Sequence, residues 1–241
     1  MPMRSAAAFL TAWLALAPDA LALEVICPPM LRQGISDFAA SFSKQTGTPV
    51  TVKVSPMGKI VDDIKAGPAD VILLPDHLMA SLAKGQKLGR MEIALAVRPG
   101  APHPDISTVD KFAAALKSAK AVAYTQPGPP RFSMEAEMID QILHRPEFRG
   151  VTLMTTTTRS GVDALGTGDA DMAVQATSAF LSRKDVALVG PLPPELKAHI
   201  DFEAAVSPSA ADAKAASDFV RHLTRPEAAW STFGLKRGVG P

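Results

Sequence analysis

The chain has 241 residues, 47% of them hydrophobic and 20% charged, a length that suits one compact unit or two small lobes. Its 25 Lys and Arg against 24 Asp and Glu leave a net charge of +1, which argues against a nucleic-acid or polyanion surface. The single cysteine excludes an internal disulfide, so the fold must rest on its core.

At the N-terminus, Arg4 supplies a positive leader, residues 5–17 an apolar run, and Ala20-Leu21-Ala22 a small-x-small cleavage site. Together they predict a secretory signal over residues 1–22 and a mature chain from Leu23. The apolar run is well short of the roughly 20 residues that span a bilayer. Cys27 follows Glu24-Val25-Ile26 rather than the small residue a lipoprotein would place there. No later segment suits a membrane span, so the expected product is soluble and exported.

From Leu23 the pattern alternates strands and helices. Residues 23–27 form a short apolar strand that stops at Pro28-Pro29 and turns into a helix over 31–46, apolar at Leu31, Ile35, Phe38, Ala39 and Phe42, one helical face. Gly47 is placed to end it as a C-cap. Cys27 reads as a small buried residue. Val50 to Ser55 alternates as a strand, residues 59–66 form a short helix, and residues 69–74 give a near-continuous apolar strand, as when both sheet faces are covered. Asp76 is a candidate cap for a helix over 77–84. A strand over 91–97 closes at Arg98-Pro99-Gly100, and Ser107 or Thr108 caps a helix through Leu116.

Further on, strands are expected at 119–124, 151–158, 170–177, 186–189 and 202–206. Helices are expected at 132–143, around 161–165, and from Ser209 to Leu223, capped by Ser207 or Ser209. A last helix has Pro226 at its N-terminus. Alternation of this kind predicts an α/β fold with mostly parallel sheets. Two lobes follow: lobe I from residues 23–97 with 205–241, and lobe II from 98–204 including the return crossing. There is no internal repeat.

Catalytic and metal motifs find no positive support. The five histidines lack metal-ligand spacing with Cys, carboxylates or each other. There is no G-x-S-x-G turn. Gly58-Lys59 resembles the end of a P-loop, but Lys53 stands where its first glycine belongs. Asp169 and Asp171 read as a solvated turn. The chain is therefore expected to be no enzyme and to hold no metal or cofactor.

What remains is a cleft. Ligands of such sheets bind beyond the carboxyl ends of the strands, where helix N-termini near Pro29, Met57 and Arg131 aim free N–H groups and the positive dipole end at one spot. Lys59 and Arg131 would add charge, and Met30 and Met57 a lining. The candidate ligand contacts are Pro29, Met30, Ser55, Met57, Gly58, Lys59, Arg131, Phe132, Thr158, Gln175 and Thr177.

Three segments carry a family resemblance. The first is Lys65-Ala66-Gly67-Pro68-Ala69-Asp70-Val71, followed by Pro75-Asp76-His77-Leu78-Met79 and Gly85. The second is Ala164-Leu165 with Gly168-Asp169-Ala170-Asp171. The third is Pro226-Glu227-Ala228-Ala229 with Phe233-Gly234. In these the chain resembles the periplasmic molybdate-binding proteins of ABC transporters. The resemblance implies a two-lobe periplasmic-binding-protein type II fold, each lobe a mostly parallel sheet flanked by helices. It also implies a periplasmic location, capture of a small anion, and delivery to an ABC permease through peripheral contact with a membrane protein. The chain is expected to act as a monomer and to bind no nucleic acid.

The site departs from that pattern. Met30 stands where the family's first turn carries a serine, Ser55-Pro56-Met57-Gly58 replaces a serine-rich run, and Gln175-Ala176-Thr177-Ser178 occupies the neighbourhood of a tyrosine. Two prolines also remove N–H donors. A molybdate-like oxyanion is the family default. A small organic anion held by Arg131 or Lys59 with Gln175 is the alternative, and a ligand sensor for a membrane partner is another.

Overall fold

Short apolar runs punctuated by Gly and Pro build the strands, and residues recurring every three to four positions build the helices that cover them. The computed structural model describes residues 22–128, 133–157, 160–181 and 183–238. In chain order the elements are β1 (Leu23–Cys27), a 3₁₀ turn (Pro29–Leu31), α1 (Arg32–Thr46), β2 (Val50–Val54), α2 (Ile60–Ala66), β3 (Val71–Pro75), α3 (Asp76–Met79) and β4 (Gln86–Val97). Then follow α4 (Val109–Ser118), β5 (Val122–Thr125), α5 (Met134–Leu143), β6 (Leu153–Thr156), α6 (Asp163–Thr167), β7 (Met172–Ala176) and α7 (Ser178–Leu181). The chain closes with β8 (Ala187–Pro191), β9 (His199–Val206), α8 (Ala213–Thr224), a 3₁₀ turn (Trp230–Phe233) and β10 (Leu235–Lys236).

The strands join in the order β2-β1-β3-β9-β4-β7-β5-β6, with β8 and β10 added on β4. β1 pairs in parallel with β2 and β3, and β5 with β6 and β7, the arrangement that helical crossovers impose. The strands between these two parallel groups run the other way: β9 on β3, and β4 on β7, β8 and β9. β4 changes partners along its length. Gln86–Glu92 pair with β9, and Ile93–Val97 pair with β7. The fold is thus the expected α/β class, in two halves that share one strand.

Local chemistry explains the element ends. Gly47 closes α1 at φ 76°, its N–H donating to the Ser43 carbonyl, as the C-cap reading predicted. The Thr108 hydroxyl accepts from the Lys111 N–H and caps α4, and the Ser133 hydroxyl accepts from the Ala136 N–H and caps α5. Apolar residues of α1 (Ile35, Phe38, Phe42) pack on Phe219 of α8 and on the fully buried Trp230. Trp230 donates through Nε1 to the Leu223 carbonyl at 2.7 Å.

Some expected elements take another form. α8 starts at Ala213, capped by the Asp212 carboxylate accepting from the Ala215 N–H, and not by Ser207 or Ser209. Those serines precede the helix because the Asp70 carbonyl accepts from the Ser207 N–H. The Asp70 carboxylate, itself buried, accepts from the Glu24 N–H at 2.8 Å and the Ala211 N–H at 2.7 Å. The final helix from Pro226 is absent. Burial of Trp230 leaves only one 3₁₀ turn, and Gly234, at φ 88°, turns the chain so that Leu235 and Lys236 pair with Met91 and Arg90. α3 is a single turn, and β4 begins five residues earlier than its apolar run. The expected signal lies outside the described residues, among which no helix is long and apolar enough to cross a membrane.

Candidate functional site

In each half, the parallel strands deliver their carboxyl ends to the same edge. The turns after β1 and β2 and the end of β7 meet there in a cleft of about 1180 Å³. The first half contributes Pro28, Pro29 and Met30 after β1, Arg32 and Gln33 at the start of α1, and Pro56, Met57, Gly58 and Lys59 after β2. The second half contributes Ser133 and Glu135 at the start of α5, Gln175 and Ala176 at the end of β7, and Ser178, Ala179 and Leu181 of α7. Thr232 and Phe233 close one side.

Six of the expected contacts therefore lie together here: Pro29, Met30, Met57, Gly58, Lys59 and Gln175. Two others do not line the cleft. Ser55 is buried beneath it, and its hydroxyl donates to the Asp63 carboxylate at 2.7 Å. That bond, helped by Lys53 and Lys59, holds the Asp63 carboxyl below the usual range. Thr177 turns away to β4, where both its N–H and its hydroxyl donate to the Glu92 carbonyl at 2.9 Å. Arg131, Phe132 and Thr158 lie outside the described residues.

The cleft is poor in donors and mostly apolar. Pro28, Pro29 and Pro56 carry no N–H, and Met30, Met57, Leu181 and Phe233 offer only apolar or thioether surface. Gln175 is buried and committed at both ends. Its carbonyl accepts from the Ser160 hydroxyl, and its amide donates to the Thr125 hydroxyl at 2.8 Å. Against this background two cations stand out, Arg32 and Lys59. Both are exposed and have no ion-pair partner among the described residues. Beneath Arg32, Cys27 is sealed in the core, and burial pushes its thiol up to about 12, which makes it an unreactive filler.

Sequence reasoning missed Arg32, which directly follows the Pro-Pro-Met-Leu turn it had marked. It also missed Glu135, which sits in the first turn of α5, where an acid reads as an ordinary complement to the helix dipole. The Glu135 carboxylate accepts from the Ala176 N–H at 2.5 Å. Burial raises its pKa, and that hydrogen bond only partly opposes the rise. Ser160 was missed as well. It is held by the tight start of α6, where a Cβ on Gly161 would lie 2.6 Å from the Tyr124 Cα. Only glycine lets that segment approach β5 so closely.

A smaller hollow of about 230 Å³, between α3 and β9, is lined by charges that largely answer one another. Arg90 donates to both carboxylate oxygens of Asp201, at 2.7 and 2.8 Å. The hollow is about a fifth of the size of the main cleft.

Among known proteins, a Pseudomonas protein named aconitate isomerase is 28% identical over 213 residues, covering 81% of this chain and 79% of its own. Solved structures share the fold at lower identity. The substrate-binding domain of a protein assigned to molybdenum ABC transport in Clostridium difficile superposes with a TM-score of 0.74 at 14% identity, over 89% of this chain and 97% of that one. The periplasmic molybdate-binding protein of Azotobacter vinelandii gives 0.64 at 16%, over 91% and 99%. PEB3 with L-phospholactate bound, a protein of Campylobacter jejuni, gives 0.63 at 16%, over 89% and 99%. The family model described as bacterial extracellular solute-binding protein matches residues 23–230, and this chain, with its two-halved sheet and the cleft between the halves, belongs to that family.

Proposed function

We propose that this protein captures a small organic anion bearing more than one acidic group and presents it to an ABC importer. The signal over residues 1–22 would export it to the periplasm, where it acts as a monomer. The observation that carries this reading is the cleft's make-up, two cations with no ion-pair partner among the described residues over a large apolar and proline-rich floor. A buried tetrahedral oxyanion needs a donor for every oxygen, because an unpaired buried charge is very costly. Here the prolines remove donors and Gln175 is already engaged at both ends.

An organic anion uses the same features well. Its carboxylates meet Arg32 and Lys59, its carbon body meets Met30, Met57 and Phe233, and the amides of Met57 and Gly58 make no bond to another described backbone group. Arg131, Phe132 and Thr158 remain contacts proposed from sequence. The named activity of the Pseudomonas relative and the phospholactate in PEB3 both support a small organic anion. Capture works by closure of the two halves over the ligand.

The test is a thermal-unfolding screen of the purified protein with trans-aconitate, citrate, molybdate, tungstate and sulfate. A ligand at one hundred times its Kd stabilises by about 2.7 kcal/mol, or roughly 5–11 °C for a chain of this size. Polycarboxylates are expected to give that shift, and Arg32→Ala or Lys59→Ala to reduce it. A shift with molybdate or tungstate and none with any carboxylate would refute the reading.

A further inference from the structure

The charges of the cleft are divided between its two walls. Arg32 and Lys59 stand on the first half, at the start of α1 and after β2, and Glu135 stands on the second, in the first turn of α5. Among the described lining residues of the second half it alone is charged. Capture of a plain polycarboxylate needs the cations and has no use for an acid on the facing wall, because that acid repels the ligand that Arg32 and Lys59 attract.

The setting of Glu135 shows what would answer it. One carboxylate oxygen accepts from the Ala176 N–H, and the other has no hydrogen-bond partner among the described residues. Both supports are rigid: Ala176 ends β7, and Ser133 caps the helix that carries the acid. The polar side chains on either side of Ala176 are turned elsewhere. Gln175 donates to the Thr125 hydroxyl, and Thr177 donates to the Glu92 carbonyl. The prolines, Met30, Met57, Leu181 and Phe233 bring no side-chain donor to the cleft. Burial already disfavours the ionised form of Glu135, and a donor on the free oxygen would recover part of that cost. That donor is left for the ligand to supply.

We propose that the ligand is a hydroxylated polycarboxylate, and that Glu135 selects it by accepting a hydrogen bond from the hydroxyl. This rests on the reading of the cleft as a polycarboxylate site. A hydroxyl donates without carrying charge, so it can face Glu135 while the carboxylates face Arg32 and Lys59. An ammonium group in its place would cancel one of the negative charges that those cations attract. The bond from hydroxyl to carboxylate is of the short, charge-assisted class. A ligand without the hydroxyl leaves the free oxygen unpaired and the repulsion unrelieved once the halves have shut. A site built around a hydroxyl rejects the analogue that lacks it more sharply than an apolar pocket tells two sizes apart. Because the cations and the acid lie on opposite halves, the full set of contacts forms only around a ligand that reaches both.

The experiment compares citrate with propane-1,2,3-tricarboxylate, the same skeleton with hydrogen in place of the hydroxyl. Calorimetric titration is run at about pH 8, where the carboxyl groups of both are ionised. Wild type is expected to bind citrate about 10- to 100-fold more tightly, the worth of one hydrogen bond to a charged group. Glu135→Gln keeps an acceptor for the Ala176 N–H and removes the charge, and thermal unfolding checks that its fold is intact. In that variant propane-1,2,3-tricarboxylate is expected to gain affinity, and the advantage of citrate to shrink at least about fivefold. The wild-type comparison stands without any variant. Equal affinities in wild type, or tighter binding of trans-aconitate than of citrate, overturn the selection and leave the polycarboxylate reading intact. A citrate advantage that Glu135→Gln keeps in full overturns the role of Glu135. Failure of wild type to bind any of the three overturns the polycarboxylate reading and the proposal together.

Discussion

Replacing Asp70 with alanine removes the acceptor of two backbone N–H groups that belong to distant parts of the chain. Glu24 lies in β1, and Ala211 lies just ahead of α8. Hydrogen bonds to a charged group contribute about 1.5–3 kcal/mol each, so two give at most roughly 6. Ala211 is exposed, and water can replace its lost partner, which brings the expected loss to about 2–4 kcal/mol. For a chain of this size that lowers Tm by about 5–15 °C. Asp70→Asn keeps one acceptor oxygen and should lose about half as much. Calorimetric unfolding of the two variants beside wild type measures both. A Tm for Asp70→Ala equal to wild type would mean that Asp70 does not tie the chain's return to β1, and the argument would fail.

Gly161→Ala would put a methyl group 2.6 Å from the Tyr124 Cα. Backbone on both sides cannot yield, so a loss of about 1–3 kcal/mol is expected, read from the urea midpoint, and Gln175 should lose its Ser160 partner. An unchanged midpoint would refute the close approach. His222 is buried among Phe38, Phe42 and Phe219, with its Nε2 unpartnered among the described residues. Burial, then Arg225, holds its pKa below 6.5. A depressed folded pKa means that the unfolded chain binds the proton first. The stability His222 contributes is therefore present above pH 6.5 and lost as pH falls through its folded value. An NMR titration finding His222 at or above 6.5 would contradict this.

Much of the fold was legible because period and punctuation agree. Gly47 after the Ile35-Phe38-Phe42 stripe, Thr108 ahead of α4 and the apolar run of β3 each carry a local signal strong enough to survive folding. Trp230 shows the limit. Pro226 favours a helix start locally, but burying the indole and satisfying its N–H at Leu223 outweighs the propensity of that segment. The extension of β4 back to Gln86 was invisible for a related reason. Residues 86–90 include Gly89 and three polar side chains, and only pairing with β9 makes them a strand.

At the site, turns were legible and directions were not. The Pro-Pro-Met and Pro-Met-Gly-Lys segments announce where the chain bends at a strand end, and both bends reach the cleft. Ser55 precedes the second bend and Thr177 follows the end of β7, and nothing in their spacing tells which way a hydroxyl points. Asp63 and the Glu92 carbonyl decide that from elsewhere in the chain. Glu135 was missed because its partner, Ala176, is 41 residues away.

The single strand shared by both halves has a mechanical consequence. β4 runs unbroken from Gln86 to Val97, clasped by β9 before the switch and by β7 after it. Bending it sharply at Glu92 would tear the ladder and the Thr177 clamp. Twisting it about its own length would leave every rung in place. Its register shifts, at Lys87/Gly89 against β9 and at Leu95/Ala96 against β8, lie on either side of the switch, where local slack would spread the twist. β4 has the build of a torsion bar: under the proposed closure the two halves would rock about it, and the elastic recoil of one strand would help them to open again.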